Sequence, residues 1–342
     1  MIYINFIIVI LLILLLKFKK RFFIGLFIIW IFFVMLINNS KFKTFLITTS
    51  MSTNHHQYIA KFIYSDIEIE RILNKNKVID QTEITDLSLL DFKHELKPTN
   101  KYERKILKYR DHDYKLFKLS GRGYQGYLVA IYKPENVSIA LSSKINTEGE
   151  YITKVSNDNN AQIAINASGY YDPNWDGNGA IAHGIVVKNK ELINEYDDAS
   201  VDGGLIGITT DNKLFLGNIT KNEIENYSIR DAISFGPYLI INGKKCKVIG
   251  DGGLGVAPRT AIGQRKDGIY LFLVIDGRRI TSIGASLKEV QKIMDNYGAY
   301  NATNLDGGSS SELLINGKIV NHPVGGGKNG LRKMPTYFIL EK

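Results

Sequence analysis

Residues 268–311, GIYLFLVIDGRRITSIGASLKEVQKIMDNYGAYNATNLDGGSSS, contain the pattern that decides the fold. A β-branched and aromatic run ends at Asp276, and a second apolar run ends at Asp306, which is followed by two glycines and three serines. Between the two runs, Ser286 and Glu289 have the spacing of a helix capping box. The stretch therefore predicts a strand, a helix and a second strand.

Two strands joined by a helix place their carboxyl ends on the same edge when they run parallel in one sheet, because such crossovers are right-handed. We therefore expect Asp276 and Asp306 to follow neighbouring strands and to lie about 5 to 10 Å apart, the separation that glycoside-cleaving carboxylate pairs use. Gly307 and Gly308 would let backbone N–H groups approach a ligand, and Ser309 begins a run of small hydroxyl donors. An Asp–Gly pair is also typical of a plain turn, and that alternative stays open.

Other polar residues stand at strand ends or in rigid Gly- and Pro-containing stretches. Three are arginines: Arg259 in APRTAIG, Arg278 shortly after the first strand, and Arg332 in GLRKMP. A guanidinium group is the natural partner of a phosphate, so these three are candidate phosphate-binding residues. Asn166 ends the predicted strand AQIAIN and is a candidate partner for a sugar hydroxyl. We assign His322, in NHP, a local structural role.

From about Tyr114 onward, short β-branched and aromatic runs alternate with Gly, Asn and Asp, which predicts many strands and few helices. The fold class expected for residues 115–342 is α+β, with a mixed, β-sheet-rich catalytic domain. A second helix is predicted in TEGEYITKVSNDN, with Thr147 and Glu150 as its capping box. GRGYQG at 121–126 precedes a strand and not a helix, so it does not indicate a dinucleotide site.

The first 40 residues hold two 16-residue apolar stretches separated by KFKKR. They predict either a transmembrane hairpin or a single signal-anchor formed by the second stretch, and the lysines and arginine between them are expected to stay cytoplasmic. Residues 41–114 are interpreted as a juxtamembrane helix, capped by Ser65 and Glu68, and a linker. The expected location is the cell membrane, with the catalytic domain extracellular.

The 342-residue chain has a formal net charge of +9, and most of that surplus lies in its first 115 residues. This position favours anionic lipid or an anionic wall polymer as partner, and the near-neutral remainder shows no nucleic-acid-binding footprint. Cys246 is the only cysteine, which excludes an internal disulfide and a cysteine-based metal site.

Several segments together resemble one family. AINASGYYD, SFGPYLIING, GVAPRTAIGQRKDG, LFLVIDGR, the stretch quoted above from Gly284 onward, and INGKIVNHP resemble, in this order, the phosphodiester glycosidase domain, the family of the lysosomal uncovering enzyme. The likeness covers about residues 115–342. It implies hydrolysis between the anomeric carbon of a sugar and a phosphate oxygen, with envelope polysaccharide or teichoic-type polymers as expected substrates.

The resemblance also points to particular residues. The positions that match family motifs are Asn166, Arg259, Thr260, Asp276, Asp306, Gly307, Gly308 and Arg332. The sequence departs from the family pattern in three places: NASG stands where Asn-Gly-Gly is usual, Leu331 stands where an acid is expected, and Glu312 replaces a smaller residue.

A phosphate leaving group is a weak base, so the reaction needs positive charge on phosphate and a carboxylate facing the sugar more than a strong general acid. Asp306 is the expected essential carboxylate and Asp276 its partner, and no cofactor is required. Two alternatives stay open: a non-catalytic protein that binds anionic polysaccharide, and a phosphodiesterase in which Asp251, Asp276 and Asp306 hold Ca²⁺ or Mg²⁺.

Overall fold

The computed structural model of the protein describes residues 20–53, 56–79, 83–93, 96–172, 177–196 and 204–342. The first apolar stretch lies outside these residues, and so does the hairpin predicted from it. The chain divides into two compact units, one formed by Met1–Lys77 with Ile249–Val256 and the other by Val78–Val248 with Ala257–Lys342.

Helices and strands alternate irregularly along the described residues. The α-helices are α1 (Lys20–Asn38), α2 (Ser40–Met51), α3 (Gln57–Ile63), α4 (Asp66–Asn74), α5 (Lys101–Leu107), α6 (Ile152–Asp158) and α7 (Leu287–Asn296). Short 3₁₀ segments span Leu87–Leu89, Pro134–Asn136, Lys221–Tyr227, Gly308–Ser310 and Lys328–Gly330. The strands are β1 (Lys77–Val78), β2 (Tyr114–Gly121), β3 (Tyr124–Ile131), β4 (Val137–Leu141), β5 (Ala161–Asn166), β6 (Tyr170–Tyr171), β7 (Ile181–Ala182), β8 (Gly184–Lys188), β9 (Glu191–Tyr196), β10 (Leu205–Thr209), β11 (Leu214–Gly217), β12 (Ile229–Ser234), β13 (Tyr238–Ile241), β14 (Lys244–Lys245), β15 (Val248–Ile249), β16 (Arg259–Arg265), β17 (Tyr270–Ile275), β18 (Ala299–Asn304), β19 (Leu313–Ile315), β20 (Lys318–Ile319) and β21 (Thr336–Glu341).

The first unit begins with the apolar helix α1, most of whose large side chains are exposed. Among the described residues, no single helix has both the length and the apolar character needed to cross a membrane. The segments Phe22–Asn38 and Ser40–Met51 meet these criteria only as a pair, and a bend of 74° separates them.

Helices α2, α3 and α4 pack around a small apolar core that includes Ile47, Ala60 and Ile69. The predicted helix start at Ser65 is confirmed, because its side chain accepts the Glu68 backbone N–H. The Glu68 carboxylate forms an ion pair with Lys43 of α2 and so joins α4 to α2.

The segment Ile249–Val256 belongs to the same unit although it lies far along the chain. The Thr48 hydroxyl donates to the Asp251 carboxylate at 2.6 Å. Gly255 has φ +60°, and a Cβ added there would lie 2.6 Å from the backbone of Thr49, so glycine is required for this approach. Asp251, one of the three candidate cation ligands, therefore contacts α2 of the first unit.

The second unit contains a seven-stranded sheet with the order β14-β13-β18-β16-β17-β3-β2. β16 pairs antiparallel with both β17 and β18, so these two strands run parallel to each other and end at the same edge, as predicted. They are not neighbours, however, because β16 lies between them. β16 and β17 are consecutive and joined by a short turn, and β18 then pairs with the free side of β16.

Helix α7 connects β17 to β18 and begins at the predicted capping box. The Ser286 side chain accepts the Glu289 N–H at 3.3 Å, and the Ser286 N–H donates to the Glu289 carboxylate at 2.8 Å. Leu287, Val290 and Met294 form its buried face. This element was therefore fully predictable from local sequence.

The second predicted helix exists as α6, but it begins at Ile152 and its capping prediction was wrong. The Glu150 carboxylate accepts the Ser143 N–H at 2.7 Å, so it is bonded to a loop and does not cap a helix begun at Thr147. GRGYQG forms the turn between β2 and β3, as expected of a stretch that precedes a strand.

Besides the short pairing of β6 with β7, the second unit contains two five-stranded sheets, ordered β20-β19-β5-β21-β4 and β11-β10-β12-β8-β9. Side chains from all three sheets share one buried core, which includes Phe272, Phe338 and Ile233. The Phe272 and Phe338 ring centroids lie 6.4 Å apart, which shows direct contact between the first two sheets. The architecture is the predicted α+β fold.

Candidate active site

Strand register brings the predicted residues to one edge of the seven-stranded sheet. Arg259 at the start of β16 lies opposite Ile275 at the end of β17, and Ala261 lies opposite Asn304 at the end of β18. Asp276 and Asp306 follow these two strand ends directly or after one residue. The Leu305 N–H donates to the Thr260 carbonyl at 2.9 Å and extends the pairing to the edge.

The Asp306 carboxyl lies within the field of two arginines. Burial raises its pKa, while the Ser310 hydroxyl, the positive charge of Arg332, the Gly307 N–H and the charge of Arg278 all oppose this rise. A carboxylate in the field of two guanidinium groups can face a cationic carbon while the guanidinium groups bind an anion.

Arg278 reaches the loop after β18 from the loop after β17. Its Nη1 donates to the Ser309 hydroxyl at 2.7 Å. Partial desolvation and then the charge of Arg332 lower the pKa of Arg278, whereas Asp306 raises it. Gly308 has φ +60°, and a Cβ there would lie 3.1 Å from Arg278 Nη2, so a glycine keeps this approach open. The loop GGSSS thus binds the Arg278 guanidinium through Ser309 and leaves room for it at Gly308.

Arg332 is held from three sides. Its guanidinium lies over the Tyr170 ring at 4.9 Å from the centroid, and its Nη2 lies 3.5 Å from an oxygen of Asp172. Its backbone N–H donates to the Glu312 carboxylate at 2.6 Å. Glu312, which directly precedes β19, thus bonds to the backbone of Arg332, whereas Asp172 is the acid beside its guanidinium.

Glu312 is completely buried, and its Oε2 has no hydrogen-bond partner among the described residues. Burial raises its pKa to about 8, against the opposing effects of the Arg332 N–H and the Arg332 charge. The carboxyl is therefore largely protonated at neutral pH.

Asn166 joins the two packed sheets through its side chain. Its amide group donates to the Asp306 carbonyl at 2.6 Å, and its amide oxygen accepts from the Thr260 hydroxyl at 2.7 Å and from the Glu312 N–H at 3.1 Å. Its side chain thus links the backbone at Asp306 and Glu312 to the Thr260 hydroxyl, and the residue is fully buried. The candidate sugar-binding residue is placed as a support of the carboxylate loop.

Replacing Asn166 with alanine is expected to destabilise the fold by about 2 to 3 kcal/mol, because buried partners such as the Thr260 hydroxyl lose their hydrogen bonds. The thermal unfolding midpoint of the variant measures this effect. Asn157→Ala, an exposed change on α6, is the matched control. A midpoint equal to that of the wild type would contradict the bridging role of Asn166.

Asp276 is 3% exposed and does not stand free at the edge. Its Oδ1 accepts the His322 N–H at 2.8 Å and the Asn321 side-chain amide at 3.3 Å. Its Oδ2 lies 2.9 Å from Nδ1 of the His322 ring. Both carboxylate oxygens are therefore engaged by the segment that follows β20.

Arg259, Gly307 and Gly308 are held by backbone carbonyls near the start of β16 and the start of α7. The Arg259 side chain is buried, and its Nε donates to the Ala285 carbonyl at 3.0 Å. The Gly308 N–H donates to the Pro258 carbonyl at 2.8 Å, and a Cβ at Gly307 would lie 2.9 Å from the same oxygen. The structure thus places Arg259, Asp276 and Asp306 at one edge of the sheet, and the charges of Arg278 and Arg332 act on the Asp306 carboxyl.

Asp251 belongs to the first unit, where its carboxylate accepts from the Thr48 hydroxyl and the Gly253 N–H. Across the ranges that the structure describes, no cluster of three or more His, Cys, Asp or Glu side chains is arranged to hold a metal ion.

Four site residues were missed from the sequence: Tyr170, Asp172, Glu312 and His322. Tyr170 and Asp172 belong to the quoted block AINASGYYD, so they could have been proposed as partners of an arginine. Glu312 was noted only as a departure, and NHP contains no local signal for a bond to Asp276.

The profile of the phosphodiester glycosidase family matches residues 159–341. The SPbeta prophage-derived uncharacterized protein YomE of Bacillus subtilis (strain 168) is 30% identical over 184 residues, which are 52% of this chain. Those residues are 28% of YomE, so the chain spans less than a third of that relative.

Among solved structures, the catalytic domain of zebrafish N-acetylglucosamine-1-phosphodiester alpha-N-acetylglucosaminidase, auto-inhibited by its pro-peptide, is similar in fold. The TM-score is 0.56 at 19% sequence identity, over 67% of this chain and 83% of that one.

Proposed function

Because this chain belongs to the phosphodiester glycosidase family, we propose that it hydrolyses the bond between C1 of a sugar and the phosphate oxygen of a glycosyl-1-phosphodiester. The observation that carries the proposal is the bond of Arg278 to the Ser309 hydroxyl, in the loop that carries Asp306 at the end of β18. The charges of Arg278 and Arg332 both act on the Asp306 carboxyl. These charges match a substrate whose reacting carbon becomes cationic beside a departing anion.

Each group has a defined task in this reaction. Arg278 and Arg332 bind the phosphate and offset the charge that collects on it as the bond to C1 breaks. The Asp306 carboxylate faces C1 and stabilises its oxocarbenium-like character. Water completes the reaction, and the products are a reducing sugar and a phosphomonoester.

We further propose that the protein acts at the membrane on envelope polysaccharide or teichoic-type polymers. The exposed apolar side chains of α1 and the basic surplus of the first 115 residues support an attachment to anionic lipid. The catalytic unit is then extracellular, where such polymers are found.

Product analysis tests the proposed reaction. The full-length chain, purified in mild detergent, is incubated with a synthetic sugar-1-phosphodiester, and free reducing sugar and sugar phosphate are measured in parallel. We expect reducing sugar and the phosphomonoester in equal amounts. Release of sugar phosphate would instead show cleavage between phosphorus and the aglycone oxygen, and its loss on adding EDTA would identify a metal-dependent phosphodiesterase.

The absence of any product would also overturn the proposal. Retention of an anionic polysaccharide without turnover would then identify a binding protein, and that retention is measured by co-sedimentation of the polymer with the chain in proteoliposomes.

A further inference from the structure

Asp276 and His322 form a pair with the arrangement of an acid–base dyad. The aspartate is buried, and it accepts both the backbone N–H of His322 at 2.8 Å and a ring contact from Nδ1 at 2.9 Å. The histidine side chain is 52% exposed. When Nδ1 carries a proton, Asp276 accepts it, and Nε2 of the half-exposed ring holds the lone pair.

The Asp276 carboxylate is itself poorly placed to meet a sugar. It is 3% exposed, and the Asn321 amide, the His322 N–H and the His322 ring share its two oxygens. A carboxylate that attacks or stabilises C1 needs an oxygen open to the substrate. Its contact with Nδ1 instead allows Asp276 to orient the His322 imidazole.

The dyad is tied to the loop that carries Asp306. The Asn321 side chain donates to the Ser311 carbonyl at 2.9 Å and accepts the Leu313 N–H at 2.8 Å. A few residues later, a Cβ at Gly325 would lie 2.8 Å from the Ser309 carbonyl. The segment around His322 is thus bonded to Ser311 and Leu313 through Asn321, and it passes close to Ser309 at Gly325.

The other side of the dyad leads to the phosphate-binding arginine. Asp276 and Arg278 are two residues apart in one loop, and Arg278 bonds the Ser309 hydroxyl at 2.7 Å. The carboxylate, the guanidinium and the histidine therefore border the same loop, residues 306–311.

We propose that His322 is the general base of the reaction and that Asp276 is its positioning residue. This inference rests on the proposed function. The oxygen of a water molecule forms a bond to C1, and the bond between C1 and the phosphate oxygen breaks with its electron pair remaining on the phosphate. A proton of that water moves to His322 Nε2, where Asp276 stabilises the imidazolium, and it then passes to solvent.

The first test is His322→Ala in the full-length chain, assayed by release of reducing sugar. We expect kcat to fall about 10²-fold with KM changed less than about threefold, because the proton transfer is lost and phosphate binding is kept. Added imidazole is expected to restore part of the rate of this variant in proportion to its concentration. It should leave the wild-type rate unchanged.

His112→Ala is the matched control. Tyr114 and Tyr270 both pair with Ile131, and Tyr270 begins β17, whereas Asp276 follows its other end. His112, two residues before Tyr114, therefore lies near the opposite end of the sheet from Asp276. Its ring contacts Tyr109. This variant is expected to retain wild-type kcat and KM.

A double-mutant cycle separates the two roles of Asp276. If Asp276 acts through His322, then Asp276→Asn lowers kcat in the wild type and causes no further loss in the His322→Ala background. Equal losses in both backgrounds would show that Asp276 meets the substrate independently, and this would overturn the inference.

Two other results would also overturn it: a His322→Ala variant with wild-type kcat, and one whose loss lies in KM without rescue by imidazole. The failure of the proposed function is separate, because it appears as absent reducing-sugar release by the wild type itself. His322 is half exposed, and an unchanged unfolding midpoint of its alanine variant excludes misfolding as the cause of a lost rate.

Discussion

Replacing Asp306 with asparagine is expected to lower kcat about 10³-fold or more, which corresponds to a barrier increase of roughly 4 kcal/mol. The substitution keeps the shape of the side chain and removes its charge. Arg278 and Arg332 remain in place, so phosphate binding is retained and KM changes little. The measurement is the release of reducing sugar from a glycosyl-1-phosphodiester at saturating substrate.

The control for this prediction is Asp158→Asn, which changes an exposed carboxylate at the end of α6. It should match the wild type in both constants. An Asp306→Asn variant with an unchanged kcat would remove Asp306 from the reaction. A loss confined to KM would reassign it to substrate binding.

The second large effect is expected on stability as a function of pH and arises from Glu312. Burial raises the pKa of this carboxyl from 4.5 to about 8. Between pH 4.5 and 8, the folded protein therefore keeps a proton on Glu312, whereas the unfolded chain has released it. The contribution of Glu312 to the free energy of unfolding is therefore complete below about pH 4.5 and is lost as the pH rises toward 8. The fall attributable to Glu312 is on the order of 3 to 5 kcal/mol, at 1.36 kcal/mol for each pKa unit.

Glu312→Gln tests this expectation because the amide keeps an oxygen for the Arg332 N–H and carries no titratable proton. We expect the variant to lose most of the decline between pH 5 and 8 and to exceed the wild type in thermal midpoint at pH 8. Glu135→Gln, an exposed change before β4, should retain the wild-type profile. Parallel profiles for Glu312→Gln and the wild type would contradict the assignment.

Local sequence patterns predicted those parts of the fold that depend on neighbouring residues. The capping box of Ser286 and Glu289 set the start of α7, and the apolar runs before Asp276 and Asp306 became β17 and β18. Strand order was not predictable in the same way, because the insertion of β16 between them depends on a pairing between segments about 40 residues apart. No periodicity within either segment encodes it.

The candidate site shows the same division. Arg278, Arg332 and Asp306 could be proposed because guanidinium and carboxylate groups near strand ends suggest chemistry at a sheet edge. Glu312 and His322 could not, since an acid in SSSEL and a histidine in NHP have many ordinary uses. Their importance arises from burial and from partners 20 and 46 residues away in sequence.

Asn166 lies between these cases. Its position at the end of β5 predicted a functional residue, and contact with a sugar hydroxyl was its expected role. In the structure its side chain instead fixes the Asp306 carbonyl and the Thr260 hydroxyl, which are 140 and 94 residues away.

The bond between Thr48 and Asp251 joins residues 203 positions apart within the first unit. A chain that emerges from its amino end during synthesis exposes α2, α3 and α4 long before Ile249–Val256 is available to cover Thr48 and Thr49. Closing such a distant contact is slow, because the intervening chain must first lose its conformational freedom. The first unit therefore stays incomplete until residues 249–256 have been synthesised, although its helices emerge first. A polypeptide that ends before residue 249 leaves Thr48 and Thr49 of α2 without these partners.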